Sequence, residues 1–234
     1  MNIALFNLDG SMFLLRWFHF FFGIIWIGLL YYFNFIQGSF FAETDTGTKS
    51  NVIQKLVPRA LWWFRWGAMY TVLTGALILG MRGHLDGVAI FETSWGIAIL
   101  TGASLGLLMW GNVWFVIWPN QQIVIESATQ TAKGNKALPE AAKAAARAGI
   151  ASRTNTLFSI PMLFFMGAAS HLPIAVNANA HLSILAGVIA VILLILEANA
   201  LKGKTGPLTT VKGVITSGFI LTAILYSLIE ILVK

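Results

Sequence analysis

The sequence predicts an all-α fold, an integral membrane bundle of about six transmembrane helices. Three observations lead there. Hydrophobic residues make up 57% of the chain and charged residues only 10%, against about 25% charged in a soluble domain. The mean hydropathy is +0.77. Apolar runs of about 20 residues, the length that crosses a bilayer, recur along the 234 residues. They leave one transmembrane domain, 1–234, with the lipid bilayer as its solvent.

The elements follow in order. Span one covers 12–37 and carries Phe20-Phe-Phe, a run suited to lipid or core. Span two covers 60–82, and span three covers 93–118, where Trp118-Pro119 is expected to stop the helix. A polar cytoplasmic loop, 119–153, comes next. Within it Pro139 to Arg147 is rich in helix formers behind a first-turn proline, which predicts a short surface helix. Spans four, five and six cover 154–171, 180–201 and 211–233. Trp17, Trp62, Trp63, Trp95 and Trp118 fall near span ends, where amphipathic rings favour the headgroup zone. Gly102-x-x-x-Gly106 and Gly167-Ala-Ala are expected to let helices pack closely.

Charge sets the orientation. Lys49, Lys55, Arg59, Arg65, Lys133, Lys136, Lys143, Arg147, Arg153, Lys202, Lys204 and Lys212 follow spans one, three and five. Only Arg16, Arg82 and Lys234 fall on the other side, and the positive-inside rule makes the crowded side cytoplasmic. Both termini are then expected outside, on the periplasmic side of a bacterial inner membrane. This distribution accounts for the net charge of +6 without a nucleic-acid partner. No cleavable signal is expected, because the first fifteen residues lack a basic stretch and a small-residue cleavage site. The absence of cysteine excludes disulfides, thiolate metal sites, iron–sulfur clusters and covalent c-type haem attachment within the chain.

The four histidines fall on the outer side. His19 lies inside span one, His84 follows span two, His171 closes span four and His181 opens span five. Imidazoles in a helical bundle are common axial ligands for iron, so His19 facing His171 or His84 would hold a haem b. Gly23, one turn after His19, would give a flat macrocycle room. A hydrated interfacial histidine is the plain alternative for His84 and His181. Copper or zinc at the same histidines is the other alternative, with few acidic or sulfur co-ligands there to support it.

The inner side gathers different groups. Asn34 and Gln37 end span one, and Arg65 enters span two. Asn112, Asn120, Gln121 and Gln122 come from span three and its exit, and Arg153, Thr154, Asn155 and Thr156 open span four. Arginine offers a planar fork of donors, and amides offer a donor and an acceptor edge. Together they suit a planar, anionic heterocycle with several carbonyls. Membrane-surface anchoring would explain Arg153, and helix capping would explain Asn155. Neither explains Asn112 inside a span. Glu197 and Glu230 could relay protons or pair with a neighbouring cation.

Four blocks resemble the membrane domain of the bacterial membrane-bound urate oxidase (urate hydroxylase) family. They are Arg16 to Gly28 continuing through Tyr31-Tyr-Phe-Asn-Phe-Ile-Gln37, Phe64 to Gly75, Trp110 to Gln122, and Ala151 to His171. The resemblance implies oxidation of urate towards 5-hydroxyisourate, with electrons passing to cytochrome c. Typical members carry a C-terminal cytochrome c domain, so here a separate cytochrome c is the expected partner. Arg16, His19, Trp26 and Gly28 also resemble a pattern in membrane-bound protoporphyrinogen oxidases and copper-resistance membrane proteins, which implies haem or metal at His19.

The expected function is thus a urate oxidase-like oxidoreductase. Arg65 or Arg153 would counter the urate anion, and Asn34, Gln37, Asn112, Asn120, Gln121 and Asn155 would read its ring edges. A haem near His19 and His171 would carry electrons outward. The alternatives are a non-catalytic subunit docking a respiratory or electron-transfer complex, and a small-molecule transporter. The chain shows no inverted repeat of the kind many transporters have.

Overall fold

A computed structural model describes residues 3–234. Asn7 caps the first long helix, α1 (Leu8–Tyr31), by accepting from the Gly10 N–H at 2.8 Å. α1 passes through a π-helical segment, Tyr32–Gln37, into α2 (Gly38–Glu43). The result is one rod of 36 residues. At 1.5 Å per residue it is about 54 Å long, well beyond a hydrocarbon core of about 30 Å. Asp45 then caps α3 (Thr46–Lys55). Its hydrogen bonds to Thr48 hold the carboxyl below the usual carboxylate range.

α4 (Val57–Asp86) returns along α1. A 3-10 turn, Val88–Glu92, leads to α5 (Ser94–Gly111), capped by Thr93. A second π segment, Asn112–Ile117, joins α5 to α6 (Trp118–Ala132), again as one rod, now of 39 residues. α7 (Ala141–His171) returns along α5, and α8 (Leu182–Lys202) and α9 (Val211–Val233) complete the chain. Among the described residues there are no strands.

Two expectations about 119–153 are corrected. The helix does not stop at Pro119, and most of the stretch is not loop. The π segment ends with Trp118 donating to the Val113 carbonyl, which places Pro119 in the first turn of α6. A proline there needs no N–H partner, and the wider π turn relieves its ring against the preceding carbonyl. The expected short surface helix is also continuous with span four, as the first turns of the 31-residue α7.

The helices pair antiparallel. Along α1 and α4, His19 meets Thr74, Phe22 meets Tyr70 and Phe33 meets Phe64. The crossing is tight at Gly67, where a Cβ would stand 3.2 Å from the Trp26 nitrogen and 3.3 Å from the Phe22 oxygen. Along α5 and α7 the equivalent approach is at Gly102, 3.4 Å from the Met162 oxygen by the same measure. Gly167 instead faces open space, so it is not the packing contact its small neighbours suggested. α7 is the hub, buried along its length and touching α1, α5, α6, α8 and α9.

The two hairpins are alike. Gly28-Leu-Leu-Tyr-Tyr-Phe-Asn34 and Gly106-Leu-Leu-Met-Trp-Gly-Asn112 each bring an asparagine into a π segment. Each return helix carries an arginine about five turns before a histidine in its last turn, Arg65 with His84 and Arg153 with His171. Cross-contacts set the relative sense: Tyr31 bonds Ser159, Asn34 bonds Ser152, and Trp66 packs on Trp114. The first rods are therefore parallel to each other, so the repeat is a same-sense one. Arg65, Asn112, Arg153 and Glu197 lie towards one end, called here the amide end. His84, His171, Leu8 and Val233 lie towards the other, the histidine end.

Four helices are long and apolar enough to cross a membrane: Leu8–Glu43, Ser94–Ala132, Leu182–Lys202 and Val211–Val233. α4 and α7 run beside them but carry more polar residues, of which Thr71, Thr74, Thr154, Asn155, Thr156 and Ser159 are buried in the bundle. Phe20, Ile24, Leu194, Ile195, Phe219 and Ile231 are exposed, an outer surface that suits hydrocarbon and not water. The chain is a membrane protein.

Candidate functional site

The amide end is built from both π segments and the stretches of α4 and α7 that face them. Asn34, in the first π segment, donates from Nδ2 to the Leu30 carbonyl at 2.9 Å and to Ser152 Oγ at 2.8 Å. This satisfies a carbonyl that the π register disturbs and ties α1 to α7 beside Arg153. Tyr31 and Ser159 add a second tie at 3.0 Å.

Asn112 is the centre of a second network. Asn155 Nδ2 donates to the Met109 carbonyl at 2.9 Å, so its Oδ1 faces Asn112. Asn112 Nδ2 then donates both to Asn155 Oδ1 and to Glu197 Oε2, each at 3.0 Å. Asn112 is 1% exposed and Asn155 0%. Two residues on, Trp114 packs edge to face on Trp66. The Arg65 guanidinium lies 5.7 Å from the Trp114 ring centre and 3.9 Å from that of Trp118, close enough for cation–π attraction.

The predicted site residues are therefore unequal. Asn34, Asn112, Asn155, Arg65 and Arg153 sit on elements linked by direct contacts. Asn120 spends its Nδ2 on the Val116 carbonyl of its own helix, at 2.7 Å. Gln121 is one residue further along α6, half-buried, and Gln37 ends the first π segment. Glu197 is the member that sequence reading left outside the cluster. Its signal was a lone carboxylate in the most apolar span, with mean hydropathy 2.5.

Several polar atoms here are buried without a partner in the protein: Gln37 Oε1, Arg65 Nε, Trp110 Nε1, Asn112 Oδ1, Trp114 Nε1 and Arg153 Nη1. Native interiors leave few such atoms, and each calls for a cause. Donors and acceptors both occur among them. A planar ligand with N–H groups and carbonyls would answer both kinds.

The histidines are not gathered. His19 Nδ1 lies 3.2 Å from Thr74 Oγ1. Thr74 gives its own hydroxyl proton to a backbone carbonyl, of Tyr70 or Thr71. His19 must then donate from Nδ1, which leaves the Nε2 lone pair free. His84 stands ten residues beyond Thr74 on α4, about 15 Å along the axis. His171 closes α7 at that same end. Neither is level with His19, and both are exposed. Beside Gly23 the nearest heavy atom is a Thr71 methyl carbon, 4.0 Å from a Cβ built there. A haem beside α1 would be held by His19 through Nε2, and among the described residues His84 and His171 do not stand opposite it. Among the described residues no group of three or more histidines or acids could hold a metal ion.

Two grooves open elsewhere on the bundle. One of ≈ 340 Å³ is lined by Leu8, Leu77, Gly80, Met81 and His84. The other, of ≈ 530 Å³, is lined by Ile160, Phe164, Phe219, Thr222 and Tyr226. Both are almost wholly apolar, and neither reaches the amide cluster. Glu230 is paired with Lys234 and Tyr226, so it behaves as a cation partner.

Comparison with known proteins gives no match among curated proteins and none among solved structures. The family described as urate oxidase N-terminal matches residues 87–227. That range runs from the end of α4 through most of α9, so it takes in Asn112, Asn155, Arg153 and Glu197 together. It covers more than half of the chain, which therefore belongs to the urate oxidase N-terminal family.

Proposed function

We propose that the chain is a urate oxidase-type oxidoreductase of the bacterial inner membrane. It takes urate or a related purine at the amide end and passes electrons to a cytochrome c. The observation that supports this most is the set of buried, unpartnered donors and acceptors at that end. Urate carries ring N–H groups and carbonyl oxygens around one plane, which matches a mixed set of this kind. Arg153, with Nη1 unpartnered, is the counter-charge to the urate anion. Arg65, stacked on Trp118, offers an aromatic and cationic wall against which a flat ring can lie.

Asn112 Oδ1 and Gln37 Oε1 accept from ring N–H groups, and the Trp114 and Trp110 indoles donate to carbonyls. Asn34 and Asn155 hold α7 against the two rods and so set the positions of these groups. In this reading the amide end faces the cytoplasm, in keeping with its lysines and arginines. A b-type haem would be held by His19 and would supply one-electron transfer between the bound purine and the acceptor. The second ligand would then come from outside the His19–Thr74 neighbourhood, since His84 and His171 stand at the far end of the bundle.

Titration calorimetry with urate tests the site. Arg153→Ala is expected to weaken binding about tenfold or more, because hydrogen bonds to a charged group contribute about 1.5–3 kcal/mol. Equal affinity in wild type and variant would remove Arg153 from the site. The same-sense repeat of the two hairpins favours one second reading, a purine carrier, since some transporter folds are built of parallel repeats. Uptake of labelled urate into liposomes holding the protein alone, with no redox partner, would select it.

A further inference from the structure

α8 carries a single carboxylate, Glu197, in a helix that is otherwise apolar until its last residues. An ionisable group at such a depth is costly and calls for a function. Among the described residues the ion pairs are Arg82–Asp86 and Glu230–Lys234, so no cation neutralises Glu197. Its partner is the amide of Asn112. Asn112 cannot turn over, because Asn155, fixed by the Met109 carbonyl, demands its NH2 group. The Asn112 Oδ1 therefore points away from both partners, buried and unpartnered. A carboxylate with no cation and an unpartnered amide oxygen thus flank one amide group, and both accept. They want a hydrogen-bond donor.

We infer that Glu197 is the proton acceptor for oxidation of the purine bound at the amide end. This rests on the function proposed above. In that reaction a water oxygen forms the new carbon–oxygen bond of the product. The urate monoanion and water give 5-hydroxyisourate, one proton and two electrons. The electrons go to two equivalents of ferric c-type haem. Glu197 takes that proton and later returns it to water at the amide end. Asn112 holds the carboxylate in place through Nδ2 while its Oδ1 receives a donor of the purine. A plain structural clamp of α8 to α5 and α7 would need only an acceptor at position 197, and glutamine supplies one.

The test is Glu197→Gln beside Glu197→Asp and wild type, measured for urate binding, thermal stability and urate-dependent cytochrome c reduction across pH. The glutamine variant should stay folded and bind urate within about threefold of wild type. Its kcat should fall about a hundredfold, the scale of general-base catalysis. The acid limb of the pH profile, where the carboxylate becomes protonated, should disappear. The aspartate variant should regain part of the rate. Wild-type kcat and pH profile in the glutamine variant would overturn the inference and leave the urate reading standing. A wild-type protein that neither binds nor oxidises urate would overturn both.

Discussion

Asn112 and Asn155 show how far single residues can be read. The sequence placed an amide inside a span, where no capping role explains it, and that was enough to mark Asn112. It could not rank Asn120, which stands in the same motif but turns back onto its own helix. The π register decides that, and composition does not reveal it. Asn120→Ala should therefore change urate affinity less than Arg153→Ala does, by calorimetry on both variants. Asn155→Ala should behave differently from either. It strips the Met109 carbonyl and the Asn112 amide of a partner in a buried site, at a cost of about 1–3 kcal/mol. Thermal unfolding in mild detergent measures it, and an unchanged midpoint would deny the network any structural weight.

At the scale of elements, the apolar runs located the helices because a bilayer requires about 20 such residues. Their ends were less legible. Trp118-Pro119 looked like a stop, yet the π segment before it carries the helix on to Ala132. α7 begins at Ala141 because its first turns are alanine-rich and pack on α6, contacts that a hydropathy pattern does not record. The glycines divide in the same way. Gly67→Leu would force a side chain against the α1 backbone at Phe22 and Trp26, and overpacking of this kind costs about 1–3 kcal/mol. Gly167→Leu enters open space and should leave the unfolding midpoint within a degree or two of wild type. Similar losses in both variants would contradict the crossing described for α1 and α4.

The whole molecule is a pair of like hairpins with α8 and α9 added. The all-helical membrane bundle was legible from composition alone. The repeat was not, because its two copies share little beyond Gly-Leu-Leu-x-x-x-Asn, an arginine and a terminal histidine. Their kinship lies in helix sense and in π segments. The histidines were grouped by sequence through their common end, but His19 is far from that end along its own helix. Orientation can be measured directly in a chain that has no cysteine. Ala178→Cys should react with an impermeant maleimide in intact spheroplasts, and Lys136→Cys only after permeabilisation. The reverse pattern would invert the bundle and place the amide end outside.

Anaerobic mixing of purified protein with urate and ferric cytochrome c, followed by visible absorbance of the haem, shows whether the buried polar groups at the amide end bind a purine for oxidation. Urate-dependent reduction by wild type, lowered at least tenfold in Arg153→Ala under subsaturating urate, is the predicted result. No reduction by wild type at saturating urate would contradict the account.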